Sequence, residues 1–269
     1  MKAFHPSTEV GTLHSSDDLY PRLLPAESAS ARTEVETLIC SRRAVFIFDT
    51  LTDQLAELIR TRHAGPLSAA DVALLVDEHL AGVPPSRYGT WVYYPWSLRL
   101  VHVLPEAQFA EVRGSGNRKR LAPERQAELE TLHIGIVGLT VGHASAIALA
   151  MGGTGGELRL ADSGRLGLSS TSRLRTGVHN IGINRAVLTA REIFEIDPYA
   201  RVSIFADELK SENLQSFLHG EAPLDLLIEE CDEPAMKVRL REEAQRRGIP
   251  IMETSGRGIP DMESYWPST

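Results

Sequence analysis

Residues 134–143 read IGIVGLTVGH, an apolar run followed by a turn that contains Gly138 and Gly142. Small residues follow this turn, and the next apolar run, 158–161, ends at Asp162. The order predicts a buried strand, a glycine turn, a helix N-terminus and an acid at a strand end. Such a turn lets backbone N–H groups approach phosphate, the helix dipole favours negative charge, and the acid accepts from ribose hydroxyls. The stretch therefore predicts an α/β nucleotide-binding fold.

Strands and helices are expected to alternate after residue 132. Apolar runs indicate strands, and apolar residues three and four positions apart indicate helices. We expect strands at 133–138, 157–161, 201–206, 224–230 and 249–253. We expect helices near 142–152, 183–196, 211–218 and 234–247. This alternation predicts a Rossmann-like parallel sheet with helices on both faces.

The chain is predicted to contain three regions. Residues 1–32 are rich in Ser, Pro, Glu and Ala without periodicity, which predicts a flexible tail. Residues 33–113 mix strand-like and helix-like segments and predict a small mixed α/β region. A Gly-Ser-Gly linker at 114–116 then leads into a nucleotide-binding domain at 117–269.

Composition argues against several classes of protein. The net charge of −8 disfavours a general nucleic-acid binder or a membrane-surface protein, which would normally carry a basic face. Cys40 and Cys231 are too few for a disulfide framework, which indicates a reducing compartment. The sequence lacks a secretory signal pattern and an apolar run of membrane-spanning length. We therefore expect a bacterial cytoplasmic protein.

Further motifs follow the phosphate turn in a recognisable order. Residues 169–173 read SSTSR, residues 180–185 read NIGINR, and residues 226–232 read LLIEECD. Over roughly 113–258, this order and spacing resemble the ThiF/MoeB adenylyltransferase family, whose domain is shared with ubiquitin-activating enzymes. The resemblance is closest to an actinobacterial-type branch, which often carries a fused nitroreductase-like domain.

The resemblance implies nucleotide-binding roles for individual residues. Gly138 matches the first loop glycine, Gly142 completes the phosphate turn, and Asp162 matches the acid that binds the ATP ribose. Arg173 matches an arginine that contacts phosphates. Arg185 stands where the family has a phosphate-binding lysine, so that the charge is kept but the shape is not.

The resemblance also implies a metal and a second subunit. Asp232 matches the aspartate that holds Mg²⁺. Arg118 is similar to the arginine that reaches into the neighbouring subunit's site, which implies a homodimer. If these matches are incidental, the arginines are ordinary surface charges and Asp232 is the polar end of a strand.

Several positions depart from the family pattern. Gly164 replaces the usual second acid after Asp162, and Ser170 and Ser172 stand where the family has asparagines. Ser170 is retained as a candidate nucleotide contact. The sequence ends at Thr269, before the family's acceptor-cysteine loop, so we expect a domain truncated at its C-terminus.

The resemblance implies ATP-dependent adenylation of a carboxylate, with ATP and Mg²⁺ as cofactors. The carboxylate would be the C-terminus of a peptide or a small carrier protein. Two alternatives stay open: a non-catalytic binding module with the same fold, and an NAD(P)-binding oxidoreductase. His143 is expected either to contact phosphate or to pack, and Cys231 is expected to be a buried residue without a nucleophilic role.

Overall fold

The structure is a computed structural model, and it describes residues 19–116, 122–254 and 260–261. The chain divides into two compact units, Met1–Pro105 and Glu106–Thr269. Gly114 and Ser115, which were expected in a linker, lie at the end of helix α4 (Glu106–Ser115).

The first unit is a four-stranded sheet with helices, as the mixed α/β pattern indicated. The strand order is β1-β3-β4-β2, with β2 parallel to β4 and the other pairs antiparallel. Its core includes Leu24, Leu38, Tyr93 and Leu100. The elements are β1 (Arg22–Pro25), α1 (Ala29–Cys40), β2 (Phe46–Asp49), α2 (Leu51–Arg62), α3 (Ala69–Leu80), β3 (Thr90–Tyr94) and β4 (Arg99–Val103).

Residues 22–32 correct the expectation of a flexible tail. Strand β1 pairs with β3, and the Ser28 side chain caps α1 by accepting a hydrogen bond from the Ala31 N–H at 3.4 Å. Leu24 and Ala31 are both buried in the core of the first unit. A four-residue strand followed by a turn is too short to show periodicity in the sequence, which is why the pattern was missed.

Strand β2 lies at one edge of the sheet and exposes apolar side chains. Val45, Phe46, Ile47 and Phe48 are each between 46% and 55% exposed. In the described sheet, β4 is the strand that pairs with β2, so the opposite side of β2 is an edge.

The second unit contains a six-stranded sheet of order β10-β9-β8-β5-β6-β7. Every neighbouring pair is parallel except β9 and β10. This confirms the predicted α/β fold with a parallel sheet flanked by helices. After α4, the elements are α5 (Pro123–Leu129), β5 (His133–Val137), α6 (Gly142–Gly152), β6 (Glu157–Ala161), α7 (Arg185–Ile196), β7 (Val202–Phe205), α8 (Ser211–Leu218), β8 (Leu226–Glu229), α9 (Pro234–Arg247), β9 (Ile251–Thr254) and β10 (Pro260–Asp261).

Helix α7 illustrates how local sequence fixes this unit. Asn184 caps the helix, because its side-chain oxygen accepts hydrogen bonds from the N–H groups of Ala186 at 2.8 Å and Val187 at 3.2 Å. The predicted apolar stripe, which includes Val187, Ala190 and Phe194, is buried. In the described part of the chain, no helix has the length and apolar character needed to cross a membrane.

Candidate functional site

A cleft of about 240 Å³ lies at the carboxyl ends of four parallel strands of the second unit. Its lining includes Gly138 after β5, Asp162 after β6, Asp207 after β7 and Asp232 after β8. Ligands of open α/β sheets bind in the crevice outside the carboxyl ends of the strands. The strand order therefore brings three predicted site residues, Gly138, Asp162 and Asp232, to the expected place.

The glycine turn packs tightly against the loop after β8. Gly138 has φ +86°, and a Cβ there would overlap the Glu230 carbonyl oxygen and lie 2.5 Å from its carbonyl carbon. A Cβ on Gly142 would lie 2.9 Å from the Ile136 side chain. Only glycine fits this conformation at 138, and Gly142 allows the N-terminus of α6 to close onto β5. Gly138 lines the cleft, whereas Gly142 is buried beside it.

The carboxylate of Asp162 is fully engaged by four donors. Its Oδ2 accepts from the Leu139 N–H at 2.7 Å and from Arg185 Nε at 2.8 Å. Its Oδ1 accepts from the Gly164 N–H and from Arg185 Nη2, both at 2.8 Å. The Asp162 side chain is only 6% exposed. The predicted ribose acid is thus held by the residue that was predicted to bind phosphate.

Gly164 makes room for this ion pair. A Cβ at position 164 would overlap Arg185 Nη2 and lie 2.5 Å from Arg185 Cζ. The guanidinium also donates to the Arg165 carbonyl at 3.2 Å. The two departures from the family pattern, glycine for the acid and arginine for the lysine, therefore belong to one contact.

The described residues that line the cleft are mainly acidic in charge. Asp162 pairs with Arg185, and Glu208 lies 3.3 Å from Lys210. Arg185 is the basic side chain among these lining residues. The acids are Asp162, Asp207, Glu208, Glu230, Asp232 and Glu233. This charge favours bound cations.

Asp232, the predicted metal ligand, lines the cleft and would offer a carboxylate oxygen to Mg²⁺. No group of three or more His, Cys, Asp and Glu side chains in the described residues is arranged to hold a metal by itself. Mg²⁺ commonly uses one or two carboxylates and completes its octahedral shell with water and phosphate oxygens. The residues therefore fit a metal that arrives with a phosphorylated ligand.

The loop that carries Asp232 is anchored by a buried carboxylate. Glu229 is fully buried, and its Oε1 accepts from the Cys231 N–H at 2.7 Å. Lys237 Nζ lies 3.4 Å from Glu229 Oε2. Burial, together with the hydrogen bond to Glu229 and its negative charge, raises the pKa of the Cys231 thiol to about 12. Cys231 is therefore protonated at neutral pH, in agreement with the expectation that it is not a nucleophile.

His143 packs between helices and does not face the cleft. It is 4% exposed, with Nδ1 3.1 Å from Thr189 Oγ1 and Nε2 3.1 Å from a Glu192 carboxylate oxygen. Both partners lie on α7. Of the two roles that the sequence left open, the structure favours packing of α6 on α7.

Two predicted residues, Ser170 and Arg173, do not line the described cleft. Ser170 lies in a short 3₁₀ segment, Leu168–Ser172, and the exposed Arg173 follows it; neither belongs to the described lining. Arg118 lies outside the described residues. Their proposed contacts with nucleotide stay predictions.

Two lining residues, Asp207 and Glu208, were missed by the sequence analysis. They follow β7 after one intervening residue, and β7 is the neighbour of β6. The signal was available, because Asp162 was recognised from the same position at the end of a predicted strand.

A larger cavity of about 510 Å³ lies at the amino ends of the strands. Ligands of open α/β sheets bind instead at the carboxyl ends of the strands. Arg113 in the wall of this cavity is paired with Asp197 at 2.6 Å. We therefore place the candidate site at the carboxyl ends of the strands.

Comparisons with known proteins agree with this fold. A model described as the ThiF family matches residues 115–260. The Mycobacterium tuberculosis (strain CDC 1551 / Oshkosh) protein MT1398 is 44% identical over 176 residues, which cover 65% of this chain and 24% of that protein. The Escherichia coli (strain K12) tRNA threonylcarbamoyladenosine dehydratase is 29% identical over 146 residues, 53% of each chain.

Solved structures of the E. coli dehydratase are similar as well. Its complexes with AMP and with ATP each give a TM-score of 0.50 at 26% identity, covering 54% of this chain and 59% of that chain. The chain spans about a quarter and about half of the two curated relatives. The nitroreductase-like fusion of the branch stays a prediction.

Proposed function

Because the chain belongs to the ThiF family, we propose that it binds ATP with Mg²⁺ and adenylates a carboxylate. The carboxylate is the C-terminus of a peptide or a small carrier protein. The similar E. coli dehydratase has been crystallised with ATP and with AMP, which supports the nucleotide part of this proposal.

The observation that carries the proposal is the cleft itself. Its lining includes Gly138, Thr140 and the acid Asp232, and α6 begins at the buried Gly142 beside it. Backbone N–H groups and the helix dipole suit phosphates, while an acid suits the accompanying cation. In this proposal Gly138 admits the phosphates, Gly142 closes the turn, and Asp232 holds Mg²⁺.

The reaction needs alignment and neutralised charge more than covalent help from the protein. An oxygen of the substrate carboxylate attacks the α-phosphorus of ATP. The bond from that phosphorus to the bridging oxygen breaks, and pyrophosphate leaves with the electron pair, so that an acyl-adenylate remains. Arg173 and Arg185 are proposed to balance the phosphate charge, Ser170 to contact the nucleotide, and Asp162 to accept from the ribose.

The acidic lining makes a cation important for this chemistry. ATP carries several negative charges, and like charges at close range repel each other strongly where water is partly excluded. Bound Mg²⁺ would neutralise part of both sets of charges. We therefore expect nucleotide binding to depend steeply on Mg²⁺.

The ligand is tested by calorimetry and thermal unfolding with ATP·Mg²⁺ and NAD in parallel. ATP should raise the melting temperature and NAD should not; a ligand at a hundredfold excess over its Kd stabilises by about 2.7 kcal/mol. Asp232→Asn should weaken ATP in the presence of Mg²⁺, while Glu221→Gln, an exposed acid outside the described cleft lining, controls for net charge. Stabilisation by NAD alone would support the oxidoreductase and overturn the adenylation proposal.

A homodimer is also proposed, with Arg118 completing the partner's site. In a two-fold dimer each subunit lends the same group to the other. Arg118→Ala and Asp232→Ala should each lack substrate-dependent pyrophosphate exchange, and mixing them should restore part of it. A monomer by light scattering, or no rescue after confirmed subunit exchange, would count against the shared site.

A non-catalytic binding module is the second candidate function, because the Arg185 guanidinium already occupies the Asp162 carboxylate that would accept from the ribose. If ATP binds but no carboxylate supports pyrophosphate exchange, this module becomes the preferred function.

A further inference from the structure

The hydrogen-bonding capacity of Asp162 is used up within the protein. A carboxylate offers about four lone-pair positions on its two oxygens. Two are taken by the backbone N–H groups of Leu139 and Gly164, and two by the guanidinium of Arg185. A ribose hydroxyl therefore has no acceptor position left on Asp162 while Arg185 is in place.

Of these donors, only Arg185 can leave without unfolding the turn. The Leu139 and Gly164 N–H groups belong to the backbone on either side of the cleft. The Arg185 side chain is 21% exposed and lines the same cleft as Gly138. It can therefore rotate toward a ligand that sits at the phosphate turn.

Phosphate offers the guanidinium an equivalent partner. Arginine binds phosphate and carboxylate with the same two-point geometry, whereas lysine is a compact point charge. A phosphorylated ligand can therefore replace the Asp162 carboxylate as the bidentate partner of Arg185. A nucleoside without phosphates offers no replacement.

We propose that Arg185 is a specificity-determining residue that closes Asp162 to ribose until the phosphates of a nucleotide draw its guanidinium away. This inference rests on the proposed nucleotide function. Gly164 is also required for this closed state, since any side chain at 164 would collide with the guanidinium bound to Asp162. The site then rejects adenosine and admits phosphorylated adenosine.

The test compares adenosine, ATP·Mg²⁺ and 2′,3′-dideoxy-ATP·Mg²⁺ by calorimetry on the full chain. Arg185→Lys keeps the charge but frees acceptor positions on Asp162, so adenosine affinity should rise about tenfold or more. Gly164→Ala should have the same effect by displacing the guanidinium. Arg165→Lys is the matched control, because that side chain donates to the Gly182 carbonyl and not to Asp162, and it should leave adenosine affinity unchanged.

A second measurement follows Arg185 directly. In the free protein, the Arg185 Nε–H should give a slowly exchanging NMR signal that is absent in Arg185→Lys. ATP·Mg²⁺ should shift or broaden this signal, and adenosine should not. Dideoxy-ATP should bind the wild type more weakly than ATP, since Asp162 accepts from the ribose once it is open.

The outcomes separate this proposal from the proposed function. ATP binding with adenosine affinity unchanged in both variants, or an Nε–H signal that ATP leaves unaltered, overturns the role of Arg185 alone. If neither ATP nor adenosine binds any variant, both proposals are overturned.

Discussion

Gly138 lies directly against Glu230, since a Cβ at 138 would be 2.5 Å from the Glu230 carbonyl carbon. The turn after β5 and the loop after β8 are therefore in backbone contact, and this contact places Asp232 beside the phosphate turn.

Gly138→Ala tests this contact against a matched control. Gly182 has φ +89°, close to the +86° of Gly138, but a Cβ there meets nothing within 4 Å. Gly182→Ala should lower the unfolding free energy by about 1–2 kcal/mol, because alanine is strained in the left-handed conformation and meets no other obstacle. Gly138→Ala should cost more in urea unfolding and should also weaken ATP. Equal losses in the two variants would contradict the backbone contact.

The two cysteines should differ in reactivity. Burial and Glu229 raise the pKa of Cys231 to about 12, whereas Cys40 is exposed. The thiolate is the reactive form, so iodoacetamide at neutral pH should modify Cys40 well before Cys231, as read by peptide mass spectrometry. Glu229→Gln removes the neighbouring charge and should speed modification of Cys231. If iodoacetamide labelled Cys231 faster than Cys40 in the wild type, the raised pKa of the Cys231 thiol would be contradicted.

Glu157 should make the second unit sensitive to acid. Burial acts to raise the pKa of Glu157, but hydrogen bonds from Arg159 and Ser203 and the charge of Arg159 lower it overall below its usual 4.5. A carboxyl with a lowered folded pKa stabilises the protein above its unfolded pKa, and this stabilisation is lost as the pH falls through the folded pKa.

Glu157→Gln tests this dependence. At neutral pH it should lower the unfolding free energy by about 3–5 kcal/mol, because Arg159 is only 1% exposed and loses its ionic partner. The difference from the wild type should shrink as the pH falls below 4.5, while Glu221→Gln should behave like the wild type. A difference that stays constant down to acid unfolding would show that the ion pair is not responsible.

The centre of the parallel sheet could be predicted because β5 and β6 are largely apolar strands followed by a glycine and by an acid. One apolar run, 134–137, precedes Gly138, and another, 158–161, precedes Asp162. The sequence alone therefore predicts where the cleft lies. The pairing of Arg185 with Asp162 could not be read in the same way. It depends on a side-chain conformation and on the space over Gly164, which lies 21 positions before Arg185 in the sequence.

The edge strand β2 has a practical consequence for handling the protein. Edge strands with exposed apolar side chains template pairing with other chains, and charged residues normally prevent this. Within β2 the charged side chain is Asp49, at the last position, and the three positions before it are apolar. At high protein concentration this edge should promote aggregation through intermolecular sheet formation. Ile47→Lys places a charge in the middle of the edge and should keep the protein soluble.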